Sequence, residues 1–236
     1  MRLLLTRPVE EAQASAARLR QLGHKAVVCP VTAIVVLEPA LPNRTIDGIL
    51  ATSAKAFCAA VAKAALTRWP EAPGFFVGSK THHSARMAGF AVGRPAHVAI
   101  DAATLVHNLR LPAPASFVYL AGRDRKPDLE GALQAEGHRV AVVETYFAQA
   151  VAALDTESLA ALQAGAIDGV LHYSRRSAEI FLRLARQERL DRTVRAMRHF
   201  CLSVDVAGVL RDFGAKRVEI SATPDEDGLL ALVPPD

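Results

Sequence analysis

The sequence predicts an α/β fold made of two similar doubly wound domains, each with a parallel sheet. Short apolar runs alternate with helical patterns of about 10–15 residues along the whole chain, which is typical of βαβ units. The chain also repeats itself: residues 46–50 (IDGIL) return as residues 167–171 (IDGVL). Two similar units that face each other would enclose a cleft, where we expect the function to lie.

The repeat extends to other segments in each half. Residues 19–31, which contain Gly23-His24, return as residues 133–145, which contain Gly137-His138. Val77-Gly78 and a helical run that ends at Gly89 return as Leu202-Ser203 and a run that ends at Gly214. Taken alone, this repeat predicts a boundary near Pro112, in the proline-rich segment between the two copies.

Each element follows from local signals. Pro8 and Pro127 suit the first turn of a helix, because a proline lacks the N–H that has no partner there. Ser53 and Ser174 are candidate N-caps, and glycines end the helices, as Gly23 does. Strands are predicted at residues 3–5, 26–31, 46–51, 75–77, 117–120, 139–143, 170–173, 200–202 and 218–220.

Composition limits the function further. With 236 residues and 51% hydrophobic residues, the chain is long enough for two domains with real cores. The net charge of +4 is scattered and aromatic residues make up only 6%, so we expect no nucleic-acid partner, and an acidic small ligand stays open. The N-terminus predicts a first strand and no signal peptide, and no apolar stretch is long enough to span a membrane. Three cysteines without a CxxC motif predict buried free thiols, and hence a cytoplasmic protein.

The familiar cofactor and catalytic motifs are missing. There is no G-x-G-x-x-G, and residues 78–81 (GSKT) do not fit the spacing of a phosphate loop, so they predict an ordinary strand-to-helix turn. The histidines lack the spacing of metal ligands, and no serine lies in a G-x-S-x-G elbow. We therefore expect no metal and no cofactor.

Small hydroxyl residues follow the predicted strands. Each is most simply an N-cap, but ligands of parallel sheets bind outside the carboxyl ends of the strands, and free N–H groups at helix N-termini bind anions. Together they predict a site for a polycarboxylate, and they are Thr6, Thr52, Ser53, Ser79, Thr81, Ser174 and Ser203. Nearby cations would either steer such a ligand or lie on the surface, and they are Arg7, Arg123, Arg125, Lys126, Arg175 and Arg176.

An ordered series of motifs along the whole chain resembles the uroporphyrinogen-III synthase family. The motifs are Thr6-Arg7-Pro8 and residues 52–56, 77–81, 121–125, 142–146, 167–174 and 201–203, followed by Ala207 and Gly214. Two positions depart from the family pattern. Asp205 stands where many relatives carry a threonine, another uncharged polar residue or a basic one, and Phe147 follows Tyr146 where a polar residue is common.

The resemblance implies a crossed topology. Residues 1–34 and 150–236 would form domain 1, and residues 35–149 would form domain 2. The chain would cross between them near residues 35–38 and 145–150, and the two extended crossings would form a two-stranded hinge that closes the cleft over a large flexible ligand.

The resemblance also implies a reaction. The substrate would be hydroxymethylbilane, a linear tetrapyrrole with eight carboxylates that the preceding deaminase could hand over. A cyclising hydro-lyase would remove water from it, invert the last pyrrole ring and close the macrocycle without a cofactor. Tyr146 would assist the departing hydroxyl, the seven hydroxyl residues with Arg7 and Arg125 would bind substrate, and the enzyme would be a monomer.

Two alternatives remain open at this stage. Tyr146 is either the acid or a packing aromatic at the hinge. The protein is either the synthase or a non-catalytic cytosolic binding or sensor protein for a small polyanionic ligand.

Overall fold

The computed structural model describes residues 1–90, 93–109, 111–125 and 127–235, and the chain forms two compact units. Unit 1 contains Met1–Ala33 and Gln149–Asp236, and unit 2 contains Ile34–Ala148. The first βαβ segment of the chain therefore belongs to the same unit as the C-terminal part, and neither boundary lies near Pro112.

The described residues form eleven strands and ten α-helices. The strands are β1 (Arg2–Leu5), β2 (Lys25–Val28), β3 (Thr32–Val36), β4 (Gly48–Ala51), β5 (Gly74–Val77), β6 (Ala96–Ala99), β7 (Ser116–Gly122), β8 (Arg139–Ala150), β9 (Gly169–His172), β10 (Arg198–Cys201) and β11 (Arg217–Ile220). The helices are α1 (Val9–Gln21), α2 (Ala60–Arg68), α3 (Ser79–Ala88), α4 (Ala102–His107), α5 (Asp128–Ala135), α6 (Thr156–Gln163), α7 (Arg175–Gln187), α8 (Asp191–Ala196), α9 (Val204–Phe213) and α10 (Glu226–Leu230).

The sheet of unit 1 is parallel, with the strand order β2-β1-β9-β10-β11. Leu4 on β1 packs in a core with Phe181 of α7 and Leu210 of α9. Leu3, from the opposite face, packs in another core with Leu19 of α1 and Leu229 of α10. Helices therefore cover both faces, which is the doubly wound arrangement expected from the sequence.

The sheet of unit 2 has the order β3-β8-β7-β4-β5-β6, and the strands from β4 to β8 are parallel. Ile49 faces a core with Leu66 of α2 and Ala85 of α3, while Leu50 faces a core with Leu105 of α4 and Leu133 of α5. The predicted α/β fold with parallel sheets is confirmed for both units.

The two units share one spatial strand order although their chain order differs. The sequence repeat equates β4 with β9, β8 with β2, and β5 with β10. With these equivalences, the order β8-β7-β4-β5-β6 corresponds strand for strand to β2-β1-β9-β10-β11. Unit 2 is thus a circular permutation of unit 1. In unit 1 the connections reverse direction between β1 and β9, and in unit 2 between β7 and β4; we call these two strand pairs the switch points.

The aspartate of the repeated I-D-G segment anchors each switch point at its amino end. In unit 2, the N–H of Ser116 donates to Asp47 Oδ2 (2.7 Å), and the N–H of Asp47 donates to the Ser116 carbonyl (2.7 Å). In unit 1, the N–H of Arg2 donates to Asp168 Oδ2 (2.6 Å), and the N–H of Asp168 donates to the Arg2 carbonyl (2.9 Å). The same aspartate therefore fixes the same register twice.

The repeated Gly-His pair has one role in both units. His138 Nδ1 accepts a hydrogen bond from the N–H of Ala115, just before β7 (3.2 Å). His24 Nδ1 accepts one from the main-chain nitrogen of Met1, just before β1 (3.3 Å). Both glycines before these histidines have positive φ, +85° at Gly23 and +83° at Gly137, which is the left-handed conformation expected after a helix end.

The glycine of the I-D-G segment is required because a phenylalanine ring lies over it. A Cβ atom added at Gly48 would lie 2.6 Å from a ring carbon of Phe75 on β5, and one added at Gly169 would lie 2.8 Å from a ring carbon of Phe200 on β10. These two phenylalanines are equivalent in the repeat, since each is paired with the second residue after its glycine.

Some elements were not predicted from the sequence. The strands β3 and β6 and the short helices α4, α8 and α10 were missed because their hydrophobic periodicity is weak. Tyr173, which was predicted to end a strand, lies just beyond β9. The chain passes between the units within β3 and within β8, which are neighbours in one sheet. The hinge and the cleft remain predictions.

We predict that Gly169→Ala destabilises the protein by about 1–3 kcal/mol, because the new methyl group must displace Phe200 in a packed core. Gly208, inside α9, is the control: no heavy atom lies within 4 Å of a Cβ added there. Gly208→Ala should stabilise by up to about 1 kcal/mol, from helix propensity. Urea unfolding of both variants checks this, and a neutral Gly169→Ala would contradict the packing explanation.

Candidate functional site at the carboxyl ends of the strands

Three of the predicted hydroxyl residues lie together in unit 1, after the neighbouring strands β1, β9 and β10. Thr6 is fully buried, and its Oγ1 donates to the carbonyl of Leu171 (3.1 Å), which ties the carboxyl ends of β1 and β9. Ser174 and Ser203 cap α7 and α9 by accepting hydrogen bonds from the N–H groups of Ser177 (3.1 Å) and Val206 (3.4 Å). These helix N-termini present their remaining N–H groups at the same edge of the sheet.

Arg7 belongs to a half-buried network at this edge. Its Nη1 donates to Glu226 Oε1 (3.0 Å) and to Ser15 Oγ (3.1 Å), and its guanidinium lies 4.1 Å from the centre of the Tyr173 ring. The Tyr173 hydroxyl donates to the same Glu226 oxygen (3.4 Å), and burial raises the pKa of this phenol. Glu226, on α10, was not predicted as a site residue, because its partners lie far away in the sequence.

Asp205, which departs from the family pattern, forms an ion pair with Arg175. Arg175 Nη1 donates to Asp205 Oδ1 (3.0 Å), and Arg175 Nε donates to Glu179 (2.9 Å). These contacts join the first turns of α7 and α9. Two carboxylates on one guanidinium leave the positive charge of Arg175 largely compensated.

The other hydroxyl residues lie in unit 2, after β4 and β5. Thr52 Oγ1 is 2.7 Å from the hydroxyl of Tyr119 on β7, and Ser53 caps a short 3-10 helix by accepting from the N–H of Lys55 (3.3 Å). Ser79 is the exposed first residue of α3 and lines a surface cavity of about 470 Å³ with Ala54, Lys80, His83 and Ser84. Thr81 is buried, 4% exposed, in the first turn of the same helix.

The predicted cations after β7 are held by carboxylates. Arg125 Nε donates to Glu130 (2.7 Å), and its Nη1 donates to the carbonyl of Gly122 (3.1 Å) and to Glu144 (3.3 Å). Arg123 Nε donates to the other Glu144 oxygen (3.0 Å), and this bond is the main reason why the pKa of Glu144 is lowered. Lys126, also expected here, is outside the described residues.

Tyr146 lies near the carboxyl end of β8 with its ring against the backbone of Gly122 on β7. A Cβ atom added at Gly122 would lie 2.7 Å from the ring carbon that bears the hydroxyl and 2.9 Å from the hydroxyl oxygen itself. The ring is half-buried and packs against the α2–α3 core of unit 2. Within the described residues the Tyr146 hydroxyl forms no hydrogen bond.

Unit 1 also contains a buried histidine pair. His199 Nε2 donates to the carbonyl of Val194 (2.8 Å), so His199 Nδ1 must accept from His172 Nε2 (3.0 Å). Burial, and the repulsion that a protonated His199 would exert, lower the pKa of His172 well below its ordinary value. Burial also lowers the pKa of His199. Both histidines are therefore neutral at physiological pH.

No group of three His, Cys, Asp or Glu side chains in the described residues could hold a metal ion. In the same part of the chain, no helix has both the length and the apolar character needed to cross a membrane.

Fold and site define a two-unit α/β protein with hydroxyl groups and helix N-termini at the carboxyl ends of its strands. The family model described as "Uroporphyrinogen-III synthase HemD" matches residues 13–231, so the chain belongs to this family and the resemblance found in the sequence is confirmed. It is an enzyme of tetrapyrrole and haem biosynthesis with uroporphyrinogen-III synthase activity, and the alternative of a non-catalytic sensor is not favoured.

The chain is also similar to solved structures. Uroporphyrinogen-III synthetase from Helicobacter pylori 26695 is 14% identical, with 98% of each chain covered and a TM-score of 0.61, which shows the fold. A mutant uroporphyrinogen III synthase from the extremely thermophilic bacterium Thermus thermophilus is 19% identical, with 98% of this chain and 96% of that chain covered and a TM-score of 0.49. A comparison with curated proteins gives no match.

The histidine pair predicts a loss of stability in mild acid. The unfolded chain binds protons near pH 6.5, whereas His172 in the native state does not, so the free energy of unfolding falls as the pH drops below about 6.5. Between pH 7.5 and 5.5 we expect a loss of about 1 kcal/mol from His172. Urea unfolding at the two pH values measures it. His172→Leu should reduce this loss and the exposed His83→Gln should leave it unchanged; equal losses in all three proteins would contradict the assignment.

Proposed function

We propose that the enzyme closes hydroxymethylbilane into uroporphyrinogen III as a cyclising hydro-lyase that works mainly by positioning its substrate. One observation carries this proposal: both units offer hydroxyl groups and helix N-termini at their switch points, while the nearby cations Arg7, Arg123, Arg125 and Arg175 already hold carboxylates. Such a surface binds carboxylates through many neutral donors. It can therefore hold a flexible substrate with eight carboxylates in a defined bend.

We assign substrate binding to the predicted residues of both units. In unit 1, Thr6 keeps the carboxyl ends of β1 and β9 together, Ser174 and Ser203 order the helix N-termini, and Arg7 orients Tyr173. In unit 2, Thr52 links the carboxyl end of β4 to Tyr119, Ser53 caps the 3-10 helix, and Ser79 and Thr81 lie in the first turn of α3. Arg125 fixes the turn after β7. Removal of one side chain therefore weakens binding only modestly, because main-chain donors remain.

The chemical step requires little from the protein beyond orientation. The carbon–oxygen bond of the hydroxymethyl group breaks, and the electron-rich pyrrole stabilises the cation that is left. Tyr146 donates its proton to the departing hydroxyl, which leaves as water. The substituted carbon of the last ring then attacks this cation, and the bond from that carbon to the neighbouring methylene bridge breaks. The released methylene cation recombines at the free carbon of the same ring, which inverts the ring and closes the macrocycle. The proton lost from that carbon restores the Tyr146 phenol.

We propose that residues 1–34 with 150–236 and residues 35–149 act as two domains, with β3 and β8 as the hinge between them. The enzyme works as a cytosolic monomer that receives its substrate from the preceding deaminase. Cys29 and Cys201 are buried as predicted, and burial raises the pKa of each thiol to about 12 and keeps it unreactive. Cys58 is exposed, so the prediction that all three thiols are buried was wrong for this residue.

The decisive assay adds purified protein to hydroxymethylbilane and separates the isomers after oxidation. Closure without ring inversion is chemically easy and gives the type I isomer, so the proposal requires the type III isomer in excess. Equal isomer patterns with and without protein would contradict the proposed activity and would favour a binding-only role.

We predict that Tyr146→Phe lowers kcat by about 10²-fold or less, with KM nearly unchanged, because the variant keeps the ring and loses only the proton donor. The comparison variants are Ser53→Ala and Ser174→Ala, which should each cost roughly 1 kcal/mol of helix capping and leave kcat near the wild-type value. Wild-type kcat in Tyr146→Phe would make Tyr146 a packing residue.

Gly122→Ala tests the same role without touching the phenol. The new methyl group must displace the outer end of the Tyr146 ring, which can move at little cost because it is half-buried. We expect a lower kcat with a thermal midpoint near that of the wild type. A variant that melts normally and retains full kcat would show that the position of the Tyr146 hydroxyl does not matter.

A further inference from the structure

Tyr119 places a phenol at the switch point of unit 2. It is paired with Leu50 across the β4–β7 ladder, and its ring lies in the core with Phe75, Phe117 and Leu133. Only 2% of the residue is exposed. Its hydroxyl nevertheless reaches Thr52 Oγ1, just beyond the end of β4, at 2.7 Å. A buried side chain thus makes a polar contact with the edge where the substrate binds.

The fold itself does not require this hydroxyl. The repeat equates Tyr119 with Leu5 of β1. His138 corresponds to His24, so the next residue, Arg139, corresponds to Lys25. These two residues pair with Ser116 and Arg2, and Tyr119 and Leu5 each lie three residues further along. Leu5 fills the equivalent place in unit 1 with an apolar side chain and is fully buried. An apolar residue can therefore occupy this position of the sheet, and the phenol of unit 2 adds a polar function to it.

The direction of the Thr52–Tyr119 hydrogen bond decides what Thr52 can do. If Thr52 donates inward, only its lone pairs face outward, and they repel a carboxylate. If Tyr119 donates, the Thr52 hydroxyl hydrogen is free to point outward. Burial raises the pKa of Tyr119, so the phenol keeps its proton. The neighbouring Glu130 and Arg125 pair with each other, and the first raises this pKa while the second lowers it.

We propose that Tyr119 is a positioning residue that donates its hydrogen bond to Thr52 and thereby makes the Thr52 hydroxyl a donor to a carboxylate of the substrate. The two hydroxyls form a short chain from the core to the ligand, and each strengthens the other as a donor. The inference rests on the proposed substrate-binding role of Thr52, and it adds a residue that touches no substrate.

A double-mutant cycle on Tyr119→Phe and Thr52→Val tests this chain. Each variant removes one hydroxyl and keeps the shape of the side chain. A neutral hydrogen bond is worth roughly 0.5–1.5 kcal/mol, so each single variant should raise KM for hydroxymethylbilane about 3–10-fold with kcat nearly unchanged. In the double variant the rise in KM should equal that of Thr52→Val alone, because Tyr119 acts only through Thr52.

Binding of uroporphyrin III, followed by the quenching of protein fluorescence, separates this inference from the binding role of Thr52. If Thr52→Val binds it as the wild type does, Thr52 is not a binding residue and the inference falls with it. If Thr52→Val weakens binding but Tyr119→Phe does not, or if the two effects multiply in the double variant, the hydrogen-bond chain is wrong. Tyr119→Leu, which copies Leu5, gives the same comparison should Tyr119→Phe fold poorly.

Discussion

The pairing of two central strands from distant parts of the chain is the constraint on which each unit depends. In unit 1 these strands are β1 and β9, and in unit 2 they are β7 and β4. In both, one aspartate exchanges two hydrogen bonds with the residue that starts the neighbouring strand, and one glycine accepts a phenylalanine ring. A register error of one residue would turn every core side chain to the wrong face, so this anchor protects both cores at once.

The aspartate anchors also determine which end of the central strands keeps free polar groups. The aspartate and histidine contacts use the polar groups at the amino ends of the central strands, which leaves the carboxyl ends for ligands. There the two units differ: unit 1 carries Thr6 with the Arg7–Tyr173–Glu226 network, and unit 2 carries Thr52 with Tyr119. A permuted repeat thus keeps one scaffold while the carboxyl-end edges of its two sheets diverge. This divergence supports the proposed binding of a substrate whose ends must be handled differently.

Much of this could be predicted from the sequence, since the repeated segments are the anchors themselves and strong turn signals bound the strands. The positions of Ser53, Ser174 and Ser203 followed from the same signals, because an N-cap after a strand is a local feature. The side-chain networks could not be predicted in this way: Glu226 and Tyr119 meet their partners only through the tertiary fold. Whether a cation such as Arg125 is already paired also depends on carboxylates from other elements, which no local pattern reveals.

The proposed reaction requires one tetrapyrrole to engage the carboxyl ends of both switch points. The most direct measurement is an NMR titration of the 25.2-kDa protein with uroporphyrinogen III, following the amide signals of both units. We expect large shifts at Ser174, Ser203, Ser53 and Ser79, and small ones at the amino-end anchors Asp47 and Asp168. Shifts confined to one unit, or centred on the amino ends, would contradict it.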